Sequence, residues 1–313
     1  MKKSRLSERL VKTEIIHNKT HNFSSRILKA EPFLWVAPAI IVMIGVIAYP
    51  MIISLYNSFI YVDKSGAISW VGLLNYSKLL RQHEFLISLR NTFVFTISTV
   101  ALQIILGLVS ALVLDKIKFI KNLFHSIVLI PMMLTPVIVA LIWKMFWDAD
   151  FGVINSILKS VGLPTVAWLA NIKFALWAVV ITDLWQSAPY VTMILLAGIQ
   201  GIPKEPYEGA AIDGASSWQL LRYITLPLLK PVILFTLIIR TIFAFRTFET
   251  VFVLTSGGPA NSTLLLSIYI FRLGFRYFQT NTAMALSWIM LIISLIITLV
   301  YIRLLRTDEG VRE

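Results

Sequence analysis

Long apolar runs alternate with short polar segments along this chain, and each run is too long and too free of charge to be one face of a soluble helix. Crossing a hydrocarbon core of about 30 Å takes about 20 residues of helix. Six stretches reach that length, at 33 to 59, 91 to 114, 122 to 143, 174 to 199, 231 to 254 and 282 to 302. The pattern predicts an all-α membrane protein of six transmembrane helices. Pro38 and Pro50 in the first run, and Pro131 and Pro136 in the third, predict kinks whose freed carbonyls must be satisfied by neighbouring helices. Of the polar intervals, FGVINSILKSVGL at 151 to 163 carries Val153, Ile154, Ile157, Leu158 and Val161 at helical spacing, which predicts a short helix lying at the interface.

Composition agrees with this reading. The chain has 313 residues, 58% hydrophobic and 14% charged, with a mean hydropathy of +0.80. The net charge of +12 does not point to nucleic acid, because the basic residues lie in loops and tails between apolar runs. Their distribution sets the orientation. Eight lie in the N-terminal tail and three in each of the segments 115 to 121, 200 to 230 and 303 to 313, against four, three and two in the opposite loops. Both termini are therefore expected in the cytoplasm. A basic tail at 1 to 32, a permease domain at 33 to 302 and a short tail at 303 to 313 are expected. The first run reads as an uncleaved signal anchor, and the basic tail as a segment on anionic lipid or against a regulator.

Several chemistries have no support. There is no cysteine, and His17, His21, His83 and His125 show no metal-ligand spacing, so no metal site is expected. Neither a GxxxxGK[ST] phosphate loop, an HExxH zinc site nor a GxSxG nucleophile elbow occurs, so the chain is not expected to be an enzyme and no catalytic residue is assigned.

Ionisable groups inside apolar runs are costly and mark functional positions. Here they are Asp183, Arg240, Arg246 and Glu249. Asp183, Gln186 and Tyr190 recur at i, i+3 and i+7, one face of a helix, and Arg240, Ala244 and Thr247, at i, i+4 and i+7, share a face of the next run. These six residues are the candidate solute path. Asp183 and Arg240 lie at similar depth and can also be read as an ion pair between two helices, with Arg246 and Glu249 as a second, i, i+3 pair.

Between the fourth and fifth runs lies EGAAIDGASSWQLLRYITLP, residues 208 to 227. Pro206 suits a first helical turn, Glu205 and Glu208 favour a helix N-terminus, and Gly209, Ala210 and Ala211 leave one side bare. Gly214 breaks the helix, Ser216 or Ser217 can cap a second one, and Pro227 and Pro231 turn the chain back into the bilayer. The segment predicts a helical hairpin on the cytoplasmic surface, shaped to dock on another protein.

These residues resemble the EAA loop of the integral membrane subunits of binding-protein-dependent ABC importers. The family pattern is met by Glu208, Ala210, Ala211, Gly214, Ile224, Leu226 and Pro227. With IDGA after EAA, with LTSGGPANST at 254 to 263, and with Ala37, Pro38, Tyr49 and Pro50 in the first run, the chain resembles the carbohydrate-uptake class over nearly its whole length. Gly209 stands where the family usually has alanine. The resemblance implies that Glu208 and Gly214, flanked by Gly209, Ala210, Ala211, Asp213 and Ala215, dock on a separate ATPase. It implies a heterodimer with a second permease subunit, two ATP-binding subunits that hold the ATP and magnesium, and an extracytoplasmic solute-binding protein, in a bacterial cytoplasmic membrane. Arg240, Ala244 and Thr247 fall on the face lining the family's sugar path. Arg240 leaves an acidic or phosphorylated solute open, and neutralisation by Asp183 would favour a neutral sugar. The alternative is an ion-driven secondary transporter, with Asp183 and Glu249 as its coupling carboxylates.

Overall fold

A computed structural model describes residues 35–63, 66–117 and 128–309, with side chains to residue 303. The basic tail and the segment 118–127, which includes the start of the expected third run, lie outside the described residues. The chain divides into two units, residues 1–57 and 58–313. In the first, helix α1 (Trp35–Ser58) is apolar over its length and widens into one π turn at Ile44–Ala48, two residues before Pro50. A wider turn accommodates a proline ring and its missing N–H.

The second unit is mostly helical. It opens on a small antiparallel hairpin, β1 (Ile60–Val62) with β2 (Ile68–Trp70), which the all-α expectation did not include. Asn75 in helix α2 (Leu74–Arg81) ties down its approach, donating to the carbonyls of Ser58 and Ile60 at 2.8 and 2.9 Å. Helix α3 (His83–Lys116) follows and is longer at both ends than the expected run. Its buried side is a stripe of small and polar residues at spacings of three and four: Ser88, Thr92, Thr96, Thr99, Gln103, Gly107 and Ala111. This face packs on α7 (Ala175–Gln200). A Cβ on Gly107 would sit 2.5 Å from Val191 Cγ1 and 3.2 Å from the Thr192 amide nitrogen, so glycine lets the two backbones approach. Small residues at helix contacts are how membrane helices gain packing when lipid is as apolar as leucine.

The third run is not one helix. Residues 128–133 form α4, the chain breaks at Leu134 and Thr135, and α5 (Pro136–Phe146) resumes. Thr135 is extended, as a residue before proline prefers, and Pro136 takes the first helical turn, where its missing N–H costs nothing. The expected kink is thus a break, and α5 alone is too short to span. After it comes α6 (Val153–Ser160), a helix where the 151 to 163 spacing put one, organised around buried Asn155. The amide of Asn155 donates to the carbonyls of Asp148, Ala149 and Val166 and accepts from Trp168 Nε1. The Asp148 carboxylate accepts the amides of Phe151 and Asp150, which holds it below the usual carboxylate range.

Helix α8 (Glu205–Ile212) precedes α9 (Ser217–Phe245), and here the fifth run is redrawn. The expected second short helix is continuous with the span, which starts at Ser217 rather than 231. A π turn at Leu221–Thr225, closed by the Leu226 N–H on the Leu221 carbonyl, widens the helix just before Pro227. The helix therefore passes both Pro227 and Pro231 instead of turning there. At the other end it stops at Phe245, not 254, and Glu249–Leu254 is a separate helix, α10, packed on α5. Helices α11 (Leu266–Phe271) and α12 (Thr280–Glu309) complete the unit. Among the described residues five helices, α1, α3, α7, α9 and α12, are long and apolar enough to cross a membrane.

Candidate functional site

Helices α7 and α9 carry the charged residues, and the structure brings the deepest two together. Arg240 Nη2 lies 3.5 Å from Asp183 Oδ2, with both side chains about nine-tenths buried. A third residue completes the arrangement. Gln103 of α3 donates from Nε2 to Asp183 Oδ2 at 2.9 Å and accepts from Arg240 Nε at 2.8 Å. One amide thus bridges the carboxylate and the guanidinium, using its donor for one and its acceptor for the other. Gln103 was not singled out from sequence, because a neutral amide does not register among the charges of an apolar run.

The pair borders an open cavity of about 550 Å³. Gln186, Ser187 and Tyr190 line it from α7, and Phe243 lines it from α9. Two helix breaks complete the wall. Met132 and Pro136 flank the break between α4 and α5, while Arg246 and Thr247 sit in the break between α9 and α10, followed by Glu249 and Thr250. Exposed backbone is tolerable at membrane depth only where protein or water satisfies it. Both breaks meet that condition: Gln186 Nε2 donates to the Leu134 carbonyl at 3.1 Å, and Ser267 Oγ to the Thr247 carbonyl at 2.5 Å.

Of the six expected path residues, Asp183, Gln186, Tyr190, Arg240 and Thr247 line this cavity. Ala244 does not; although it lies in the same helix as Arg240, it packs in the hydrophobic core, and Thr247 reaches the cavity from the break rather than from a shared helical face. The same break removes the i, i+3 geometry expected to pair Arg246 with Glu249. Both instead lie on the cavity wall, one on each side of the interruption.

The LTSGGPANST segment folds into a tight loop beside α10. Ser256, Gly257, Ala260 and Asn261 adopt left-handed backbone conformations. Arg272 holds the loop, donating to Asn261 Oδ1 at 2.7 Å and to the Ser256 carbonyl at 2.6 Å, and a Cβ on Gly257 would strike its guanidinium. Thr255 and Thr263 bond hydroxyl to hydroxyl across the loop base at 2.7 Å. Nearby, burial pushes the Tyr269 hydroxyl up to about 12, and that hydroxyl bonds Gln82.

The 205 to 227 segment presents its loop residues to the outside. Glu208, Gly209, Ala211, Asp213 and Gly214 are exposed, Ala210 and Ala215 half-buried. Helix α8 ends in a Schellman turn: the Gly214 amide bonds the Ala211 carbonyl at 3.2 Å and the Ala215 amide the Ala210 carbonyl at 2.9 Å. Gly214 has φ +74°, which glycine adopts without strain. Ser216, not Ser217, then caps α9 in a capping box with Gln219. Tyr207 bonds Thr225 Oγ1 at 2.9 Å and ties α8 to the π turn.

Five membrane-length helices among the described residues, and a cavity lined by two of them and by broken helices that bring charged and hydroxyl groups to it, define a multi-pass membrane transport protein. The chain belongs to the binding-protein-dependent transport system inner membrane component family, whose model matches residues 103–307. It is 38% identical over 264 residues to a probable ABC transporter permease protein, y4oQ, of Sinorhizobium fredii, covering 83% of this chain and 85% of that one. It is 36% identical over 278 residues to the trehalose/maltose transport system permease protein MalF of Thermococcus litoralis, covering 87% and 92%. Among solved structures it is similar to a chain of a bacterial ABC transporter involved in the import of the acidic polysaccharide alginate. That match has a TM-score of 0.80 and 26% identity and covers 90% of this chain and 98% of the other.

Proposed function

We propose that this permease subunit forms half of the translocation path of an ATP-driven importer for a sugar or oligosaccharide. It pairs with a second permease subunit in the cytoplasmic membrane, receives solute from an extracytoplasmic binding protein, and rests on two ATPase subunits that bind ATP and magnesium. Its own residues make and break no covalent bond. The permease domain, residues 33–302, crosses the membrane six times, the broken α4–α5 segment supplying the third crossing, with the tails 1–32 and 303–313 in the cytoplasm.

The observation that carries this reading is the hairpin at 205 to 220. Glu208, Gly209, Ala211, Asp213 and Gly214 stand exposed around a turn locked by two Schellman bonds, and the following helix is continuous from Ser217 past Arg240 to Phe245. A push on the turn is therefore delivered along one continuous helix to the cavity wall. Glu208, Gly209, Ala210, Ala211, Asp213, Gly214 and Ala215 are the ATPase-docking residues, and Asp183, Gln186, Tyr190, Arg240 and Thr247 line the solute path. Closing and opening of the ATPases shifts the bundle between outward- and inward-open states.

Glu208→Lys and Gly214→Val test the link. Valine is strained at φ +74° by about 1–2 kcal/mol and deforms the turn. Both variants are expected to insert and assemble while ATP hydrolysis loses its stimulation by solute-loaded binding protein. Normal stimulation in both would contradict the docking role.

A further inference from the structure

The charges around the cavity cancel, and the deepest of them cancel through one bridging amide. Arg240 lies within ion-pair distance of Asp183, and Gln103 fixes both partners at 2.8 and 2.9 Å. An unpaired arginine in this position would be a strong site for a carboxylate or phosphate, which matches its planar fork of donors. With the aspartate alongside, an approaching anion meets attraction and repulsion of similar size, and loses its hydration without full compensation. Nearer the helix break Arg246 and Glu249 add one charge of each sign. The remaining polar lining is neutral: the amide of Gln186 and the hydroxyls of Ser187, Tyr190, Thr247 and Thr250.

We propose that Asp183, held in place by Gln103, is a specificity-determining residue that masks Arg240, so that the path accepts neutral hydroxyl-rich solutes and rejects acidic ones. The inference rests on the function proposed above and deepens it. The fold by itself does not decide the charge of the cargo: a chain of similar fold belongs to an importer of an acidic polysaccharide, while a relative is named for trehalose and maltose. Side chains set around a common scaffold must make that choice, and the masked arginine is the group here with the chemistry to make it. Asp183 acts through Arg240 and is a positioning residue in this account; Arg240 is the group that would meet an anion.

The test is binding of maltotriose and trigalacturonate to the purified complex of both permease subunits and the ATPases, measured by ligand-observed NMR without the binding protein, whose own selection is thereby excluded. Wild type is expected to bind maltotriose at least about tenfold more tightly. Asp183→Asn, which keeps the shape and unmasks the cation, is expected to move the affinity ratio about tenfold or more toward trigalacturonate. Arg240→Gln is expected to move it the other way, and the double variant to return it near wild type. Asp183→Glu keeps the charge and is expected to keep the preference. A merely structural pair would weaken both sugars together in every variant. Single variants that move the ratio in the same direction or leave it unchanged, or a wild type that prefers trigalacturonate, overturn the masking role while leaving the importer reading intact. A wild type that binds neither sugar contradicts the carbohydrate reading and the masking role with it.

Discussion

A single missing side chain decides how closely α3 and α7 can lie. At Gly107 an added Cβ meets Val191 and the backbone of Thr192, whereas at Gly209 it meets nothing within 4 Å. Gly107→Leu is expected to lower the stability of the purified complex by about 1–3 kcal/mol through overpacking. Gly209→Ala is expected to leave it unchanged or raise it by up to about 1 kcal/mol, as alanine replaces glycine in an exposed helix. Thermal unfolding of both variants checks this, and equal losses would contradict the packing. Legibility at this scale followed cost in the membrane. Asp183 and Arg240 stood out because a charge in an apolar run demands a reason, and the structure pairs them. Gln103 did not stand out, although Ser88, Thr92, Thr96, Thr99, Gln103 and Gly107 repeat at spacings of three and four and mark a polar face once the run is read as a helix. Spacing and the family resemblance both put Ala244 with Arg240 and Thr247, but Ala244 packs in the core and Thr247 lies beyond the helix end, where helical spacing no longer applies.

Helix breaks are where element boundaries departed from the apolar pattern. Hydropathy averages over a window and does not register a change of backbone direction in residues that stay apolar. The break at 246 to 248 has neither proline nor glycine to announce it, so a run read as 231 to 254 is two helices meeting at Arg246–Phe248. At Pro136 the signal was present, but whether proline kinks or breaks a helix depends on what satisfies the backbone left open around it, here Gln186 from another helix on the Leu134 carbonyl in the break. The turn at Gly214, by contrast, was legible apart from which of Ser216 and Ser217 caps the next helix, because its chemistry is local: a left-handed glycine followed by a serine cap. The broken α4–α5 segment also decides the topology. The chain lacks cysteine, so single cysteines report sidedness directly. If this segment crosses, Asp213→Cys is expected to react with a membrane-impermeant maleimide only from the cytoplasmic side and Lys159→Cys only from outside. The opposite pattern would mean that the segment does not cross and the chain spans five times.

One helix joins the exposed turn to the cavity. Helix α9 begins at the capped turn that presents Glu208 to Ala215, carries Arg240 into the polar triad with Gln103 and Asp183, and ends at the break that lines the cavity. The loop at 255 to 263, clamped by Arg272, backs the short helix on the far side of that break. Under the proposed function this layout would convert an event at the turn into a change of cavity shape, and the structure holds Asp183 in a bonded pair with Arg240 and Gln103. Under the proposed function, free energy enters through ATP hydrolysed by partner subunits. The most direct test of this is solute accumulation in proteoliposomes holding the complete complex and its loaded binding protein, with no ion gradient across the membrane. Accumulation is expected only when ATP reaches the ATPase side; accumulation without ATP, driven by an imposed proton or sodium gradient, would contradict the account.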